Sequence, residues 1–213
     1  SHHLGRDADS KALARRVIRA YEAGKFDGLL ITATGCSSQL KDLAHQFAAD
    51  PVWAPRARAV AAAALDFAEL ATPLAVKPPH PLKVAYHPPC SLQNSLKLVG
   101  CGEALLDAAG VTLTPFGESH ICCGSAGSYA ILQPELSTAL KARKLGHIQA
   151  ALPDVIVSGN IGCLQQLNGT IPALHLAELL DWAEGGPSHL PASGGLSHVP
   201  AFGGLVEIPR PAR

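Results

Sequence analysis

The sequence predicts an α/β protein of two pseudo-symmetric repeats, each with parallel strands and flanking helices, the first repeat incomplete. Three observations lead there. Short apolar runs of strand length alternate with longer segments of helical period. A stretch near the beginning recurs without a gap near the end. The composition, 47% hydrophobic and 16% charged over 213 residues, is enough to bury a core.

In chain order, residues 9–23 ("DSKALARRVIRAYEA") carry apolar side chains at helical spacing and stop at Gly24. Residues 28–33 ("GLLITA") read as a buried strand, and 37–48 and 55–71 as helices separated by Asp50-Pro51. Pro73 and 77–81 ("KPPHP") form a proline-rich linker. A strand is expected at 82–87, a helix at 91–109 ending at Gly110, and a strand at 111–116. A long helix at 128–150 is expected to bend near Pro134. It is followed by a strand at 154–159 and a final helix at 173–184. The last segment, 186–213, is rich in glycine and proline without a period and reads as a poorly ordered tail.

The repeat is specific. "DGLLITATGCSSQL" (27–40) aligns with "DVIVSGNIGCLQQL" (154–167), matching Asp27 with Asp154, Gly35 with Gly162, Cys36 with Cys163 and Gln39 with Gln166. Downstream, "LDFAEL" (65–70) matches "LHLAEL" (174–179). Each half therefore reads as a strand, a loop with Gly-Cys, and a helix. Residues 1–76 are expected to be the C-terminal part of the first repeat, and 82–185 the whole second repeat. Cys123 lies 31 residues before Asp154, and the same count back from Asp27 passes Ser1. A second paired-cysteine motif is thus expected upstream, leaving Cys36 in a loop without a complete set of thiolate partners. The Asp27 and Asp154 carboxylates, just before strands, read as turn residues.

Lys and Arg number 17, as do Asp and Glu, so no general attraction to nucleic acid or an anionic membrane is expected. No apolar run is long enough for a transmembrane segment, and no signal peptide is visible. A reducing compartment follows, where cysteines bind metal or do redox work more often than they cross-link.

The six cysteines centre on "SHICCGSAG" (119–127). Vicinal cysteines rarely bond each other. The second repeat supplies Cys90, Cys122, Cys123 and Cys163, each in or beside a loop after a strand. In a parallel sheet such loops gather at the carboxyl edge, where ligands bind. Four thiolates there suit a soft metal or an iron–sulfur cluster. Adjacent cysteines on extended backbone point to opposite faces, so a turn is needed, and Gly124 permits one. Gly124 through Gly127 are expected to line the pocket. Zinc is a poor fit to a vicinal pair, and inert core filler is the remaining alternative, the preferred one for Cys101. His87 and His120, close before candidate ligands, could hydrogen-bond a sulfur, tune a potential or relay a proton; each could equally be satisfied by loop backbone.

"YHPPCSLQ", "HICCGSAGSYAILQPELS", "RKLGHI" and "VSGNIGCLQQL" resemble the cysteine-rich CCG domain family, in its glycolate oxidase iron–sulfur subunit branch. "SHHLGRD", "TATGCSSQLKDLAHQFAADP" and "LDFAELA" resemble the first repeat of that branch, so "SHHLG" reads as native sequence rather than a tag scar. The resemblance covers about residues 1–184. It implies an electron-transfer role beside flavin-containing (FAD) partner subunits that oxidise glycolate to glyoxylate, with a quinone as one acceptor. A ferredoxin-like region of the family, with two 4Fe–4S clusters, is absent from this chain. The resemblance also implies a cytoplasmic location, at most peripheral on the inner membrane through the complex. Carried over by position, the second repeat's cluster ligands are Cys90, Cys122, Cys123 and Cys163, with Cys36 the surviving ligand of the first. The heterodisulfide-reductase form ends each repeat in Cys-x-x-Cys, whereas Gln39 and Gln166 stand at that place here. A five-cysteine cluster is therefore not expected, and a four-cysteine cluster or a site without one remains. A lactate-oxidising or heterodisulfide-reductase-like subunit is the alternative within the class, and a cluster-free module docking the flavin subunit is the alternative outside it.

Overall fold

The computed structural model describes residues 4–71 and 78–188. The predicted tail from 189 onward, and Pro73 and Lys77 of the predicted linker, lie outside the described residues.

The chain alternates helix and strand as expected. Helix α1 (Asp7–Gly24) leads to strand β1 (Leu29–Ile31), helices α2 (Thr34–Lys41), α3 (Leu43–Gln46) and α4 (Ala54–Ala63), strand β2 (Ala64–Asp66) and the short helix α5 (Phe67–Leu70). The second half runs β3 (Lys83–Tyr86), a π-helical turn (Ser91–Ser95), α6 (Cys101–Ala108), β4 (Thr112–Leu113), α7 (Tyr129–Leu132), α8 (Pro134–Ala150), β5 (Val155–Ser158), α9 (Ile161–Leu167), β6 (Ala173–His175) and α10 (Leu176–Ala183). β1 and β2 pair in parallel, and a four-stranded parallel sheet has the order β4-β3-β5-β6.

The sheet register reproduces the sequence repeat. Leu29, Leu30 and Ile31 pair with Ala64, Leu65 and Asp66. Their repeat counterparts Ile156, Val157 and Ser158 pair with Ala173, Leu174 and His175. Each second strand then enters a helix through the same capping box. Asp66 and His175 accept from the backbone N–H of Ala68 and Ala177, while Glu69 and Glu178 reach back to the cap residue's N–H.

Those boxes correct two expected helices. Residues 55–71 and 173–184 were each expected to be helical throughout, yet both contain a strand before a capped helix. The Asp-x-x-Glu spacing at 66–69 was a legible start signal, obscured by the alanine-rich run before it. The expected helix at 91–109 is also broken, because the backbone turns left-handed at Lys97 (φ 59°). Pro134 does not bend a long helix. It opens α8, after Gln133 leaves helical geometry at φ −132°, as proline's fixed φ and missing N–H favour at a first helical position. The strand expected over 111–116 pairs only at Thr112–Leu113.

Side chains of the central strands alternate between two packed layers. Val84, Tyr86, Val155 and Val157 face Leu105, Leu106, Leu176, Leu179 and Trp182 of α6 and α10. On the other face Ala85 and Ile156 pack with Ile148, Leu167, Cys123 and Cys163. Two of the candidate ligands thus belong to a sheet layer. The first half has its own core around Ile18, Phe47, Ala57 and Val60.

Candidate functional site

The loops after β3, β4 and β5 converge at the carboxyl edge of the four-stranded sheet. His87 extends β3 by one residue: its N–H donates to Val157 O at 2.8 Å and its carbonyl accepts from Ser158 Oγ at 2.9 Å. Cys90 follows three residues later, before the π-helical turn. Cys122 and Cys123 come from the long connection after β4. Cys163 lies in the first turn of α9, just past β5.

Four sulfurs meet in series. Cys90 contacts Cys122, Cys122 contacts Cys123, and Cys123 contacts Cys163. The ligand atoms of His87, Cys123 and Cys163 lie within 4.8 Å of one another, the one such group of three among the described residues. All four thiols are unbonded to one another, with Cys123 and Cys163 buried and Cys90 and Cys122 half-buried. The vicinal pair is therefore not a disulfide.

Crowding splits the thiols. Hydrogen bonds from the thiols of Cys123 and Cys90, with the Gly124 N–H at 3.3 Å, hold Cys122 far below its ordinary range. Cys163 is drawn down to about 5, chiefly by the Cys123 thiol, then by His87 and by the Asn160 amide at 3.4 Å. Cys123 is pushed up by Cys122 and Cys163 and by burial, and Cys90 by Cys122 and by burial. Packed thiols cannot all ionise beside one another. Bound positive ions remove that conflict, since metal ligation needs the deprotonated forms.

His87 is 1% exposed, and neither ring nitrogen has a hydrogen-bond partner of good geometry. Buried polar atoms are normally satisfied, so an orphaned imidazole beside the Cys123 and Cys163 sulfurs fits a site made for a further group. The donor set itself, soft sulfur with one nitrogen nearby, suits iron, an iron–sulfur cluster or zinc rather than magnesium or calcium. His120, in contrast, is exposed.

The first repeat's Cys36 stands apart. It occupies the third position of α2, not a loop, and is exposed. The helix begins earlier than expected because extended Ala33 acts as its cap, as Asn160 does for α9. Cys101, at the start of α6, is half-buried against the α6 and α10 core, as expected of filler.

The small-residue run serves packing more than pocket lining. A side chain on Gly124 would sit 2.4 Å from Ser137 O of α8, and one on Gly162 2.8 Å from Ser125 Oγ. Gly127, expected to line the pocket, is exposed with open space around it. Gln166, at the place of the absent cysteine, donates to Ser137 Oγ at 3.0 Å. Ser137 Oγ in turn donates to Gly124 O at 2.8 Å. This chain of bonds ties α9, α8 and the vicinal cysteines together.

Sequence reasoning missed three residues around the sulfurs: Ser137, Lys144 and Asn160. Asn160 has no counterpart at its repeat position, Ala33, and that break in the repeat was the available signal. Its amide Nδ2 donates to Cys163 Sγ, and its Oδ1 accepts from Gly35 N–H at 3.4 Å, next to Cys36. Close by, Thr34 N–H and Oγ1 donate to Gly159 O at 3.1 and 2.7 Å. The two Gly-Cys helix starts therefore meet head to head. Asn160→Leu removes both bonds and is expected to destabilise the protein by about 1–2 kcal/mol in urea unfolding. Asn160→Asp keeps the acceptor for Gly35 and is expected to fall between that variant and the parent. Equal stability of all three would dismiss the bridge.

Among known proteins, the cysteine-rich CCG domain family matches residues 84–168. The glycolate oxidase iron-sulfur subunit of Escherichia coli (strain K12) is 36% identical over 194 residues, covering 85% of this chain and 47% of that protein. The probable glycolate oxidase iron-sulfur subunit of Bacillus subtilis (strain 168) is 31% identical, covering 86% of this chain and 45% of that protein. Lactate utilization protein A of an Exiguobacterium species is 25% identical, covering 85% of this chain and 79% of that protein. The chain thus spans about half the length of the two glycolate oxidase subunits it matches. All four converging cysteines fall within residues 84–168, the segment that matches the cysteine-rich CCG domain family.

Proposed function

We propose that this chain is an iron–sulfur electron-transfer subunit of a complex that oxidises a small 2-hydroxy acid, glycolate before others. The observation that carries the reading is the row of four sulfurs at the carboxyl edge of the parallel sheet. Cys90, Cys122, Cys123 and Cys163 would hold a cluster, most simply a four-cysteine 4Fe–4S centre. Such a cluster supplies reversible one-electron transfer. The protein's own residues fix the sulfurs: the Gly124 N–H supports Cys122, Asn160 supports Cys163, and the two packed layers keep water from Cys123 and Cys163. His87 stands beside Cys163 as a group able to tune the centre. Cys36, at the matching place in the first repeat, would be the corresponding ligand there. Residues 1–76 are read as the C-terminal part of a first CCG repeat, 77–81 as a linker and 82–185 as the second repeat.

The complex would include flavin-containing (FAD) subunits that oxidise glycolate to glyoxylate, and an acceptor such as a quinone. The names of the two glycolate oxidase relatives support this choice. No described helix is long and apolar enough to cross a membrane, so association with one would be peripheral. A lactate-oxidising complex is the second reading, favoured by the match over 79% of lactate utilization protein A.

Anaerobic reconstitution followed by iron and acid-labile sulfide analysis tests the core of the proposal. About four irons and four sulfides per chain are expected. A chain that binds neither is the cluster-free docking module instead. With the flavin subunits present, glycolate rather than lactate is expected to bleach the cluster's visible absorption.

A further inference from the structure

Lys144 of α8 is buried, 1% exposed, in a chain whose other lysines have no such burial among the described residues. Its ammonium donates to Glu118 O at 2.6 Å and Ser119 O at 3.1 Å. Both carbonyls belong to the segment running into Cys122-Cys123. The ammonium also lies over Phe116, with Nζ 5.5 Å from the ring centroid. No described carboxylate forms an ion pair with it. The Glu118 carboxylate is taken by Arg143 in a two-bond fork and by His147 at 3.0 Å.

A buried ammonium needs a compensating negative charge. Carbonyl dipoles satisfy its hydrogens but carry no net charge. The groups that act on it are Cys123, Cys122, Glu118 and Cys163, and of the three thiols Cys122 and Cys163 are the ones held toward the ionised form. Burial pushes the Lys144 pKa down, and those same groups oppose the shift. Lysine is also a costly way to hold a loop, since a neutral donor would satisfy the same carbonyls with no buried charge.

We propose that Lys144 is the resident counter-cation of the cysteine centre: it ties the 118–119 backbone to α8 and offsets the negative charge of the cluster held by Cys90, Cys122, Cys123 and Cys163. The inference rests on the cluster reading above. A cluster with four thiolate ligands is anionic, and its reduction adds one more negative charge. A fixed cation behind the ligands therefore favours the reduced state and raises the midpoint potential. Lys144 is a positioning residue: it touches no ligand sulfur by hydrogen bond and acts through the loop and through its charge.

The test compares Lys144→Gln with Lys144→Arg in the reconstituted full chain. Both side chains can donate to the two carbonyls, and only arginine keeps the charge. Iron and sulfide content, urea unfolding and the midpoint potential by spectroscopic redox titration are read for each. At equal iron content, Lys144→Gln is expected to weaken the preference for the reduced state at least tenfold, about 59 mV downward for one electron, while Lys144→Arg stays near the parent. Equal potentials for the two variants at full iron loading overturn the counter-cation role and leave the cluster reading intact. Absence of iron and sulfide in the parent chain overturns the cluster reading and removes the anion that Lys144 would serve. Should Lys144→Gln fail to fold, Lys144→Met supplies the neutral variant, and a Met potential matching that of Arg overturns the proposal in the same way.

Discussion

Replacing Cys123 with serine is expected to remove most of the iron from the reconstituted protein, while Cys101→Ser leaves it bound. The two cysteines differ in surroundings rather than in chemistry. Cys123 is 1% exposed, lies between Cys122 and Cys163, and packs against Ala85, Ile148 and Ile156. Its sulfur is the third of the four in the row, so its loss separates Cys90 and Cys122 from Cys163. A serine hydroxyl does not ionise near neutral pH and is a hard, weak ligand for iron. Cys101 lies in the first turn of α6, on the far layer of the sheet, against the α6 and α10 core. Its replacement changes a packing contact and no ligand. A buried serine carries a cost of its own, about 1–3 kcal/mol if its hydroxyl is unsatisfied, so urea unfolding of the apo-proteins accompanies the metal analysis. Cys123→Ala, which buries no hydroxyl, is expected to lose iron as Cys123→Ser does. Equal iron loss from the Cys101 and Cys123 variants would reject the centre and favour a docking module.

How far the sequence revealed this arrangement depends on the element. The repeat was legible because two buried strands and their Gly-Cys helix starts use the same residues at the same offsets. The register of β1 with β2 and of β5 with β6 follows from it residue for residue. The four cysteines could be gathered by topology alone, since loops after parallel strands share one edge. The surroundings of the sulfurs were harder to read. Lys144 and Ser137 lie on α8, whose polar and apolar positions show no clear helical face in the sequence, because one side of it buries a lysine and a serine. Burial of polar side chains for the sake of a charge or a carbonyl elsewhere leaves no periodic trace. The glycines were recognised but given the wrong neighbour. From the sequence the small run lines the pocket, whereas the structure sets Gly124 against the α8 backbone. Helix ends failed for a related reason. A capping box with histidine at its head, as at His175, has no common signature, although its twin at Asp66 has one.

Gly124→Ala is expected to be among the most damaging single substitutions outside the cysteines, costing about 3–6 kcal/mol in urea unfolding. Three separate effects add. Gly124 has φ +91°, where a side chain is strained by about 1–2 kcal/mol. The new methyl would lie 2.4 Å from Ser137 O and 3.1 Å from both Ser137 C and Gln166 Nε2. The first neighbour is helix backbone and cannot swing aside, so α8 or the cysteine loop must move, at a cost of about 1–3 kcal/mol. That movement stretches the Ser137 Oγ donation to Gly124 O, worth about 1 kcal/mol when buried. The sum is a large part of the 5–15 kcal/mol that stabilises a domain of this kind. Gly127→Ala is the internal comparison. Its φ is +60°, yet nothing lies within 4 Å of the added methyl, so only the backbone strain of about 1–2 kcal/mol applies. If both variants lose the same small amount, the close approach of the cysteine loop to α8 is wrong. If Gly124→Ala alone falls steeply, the glycine after the vicinal cysteines is set by helix packing. The same displacement would carry the Gly124 N–H away from Cys122 Sγ. Iron content is then expected to drop in Gly124→Ala and to hold in Gly127→Ala, tying the stability of the α8 contact to the geometry of the sulfurs.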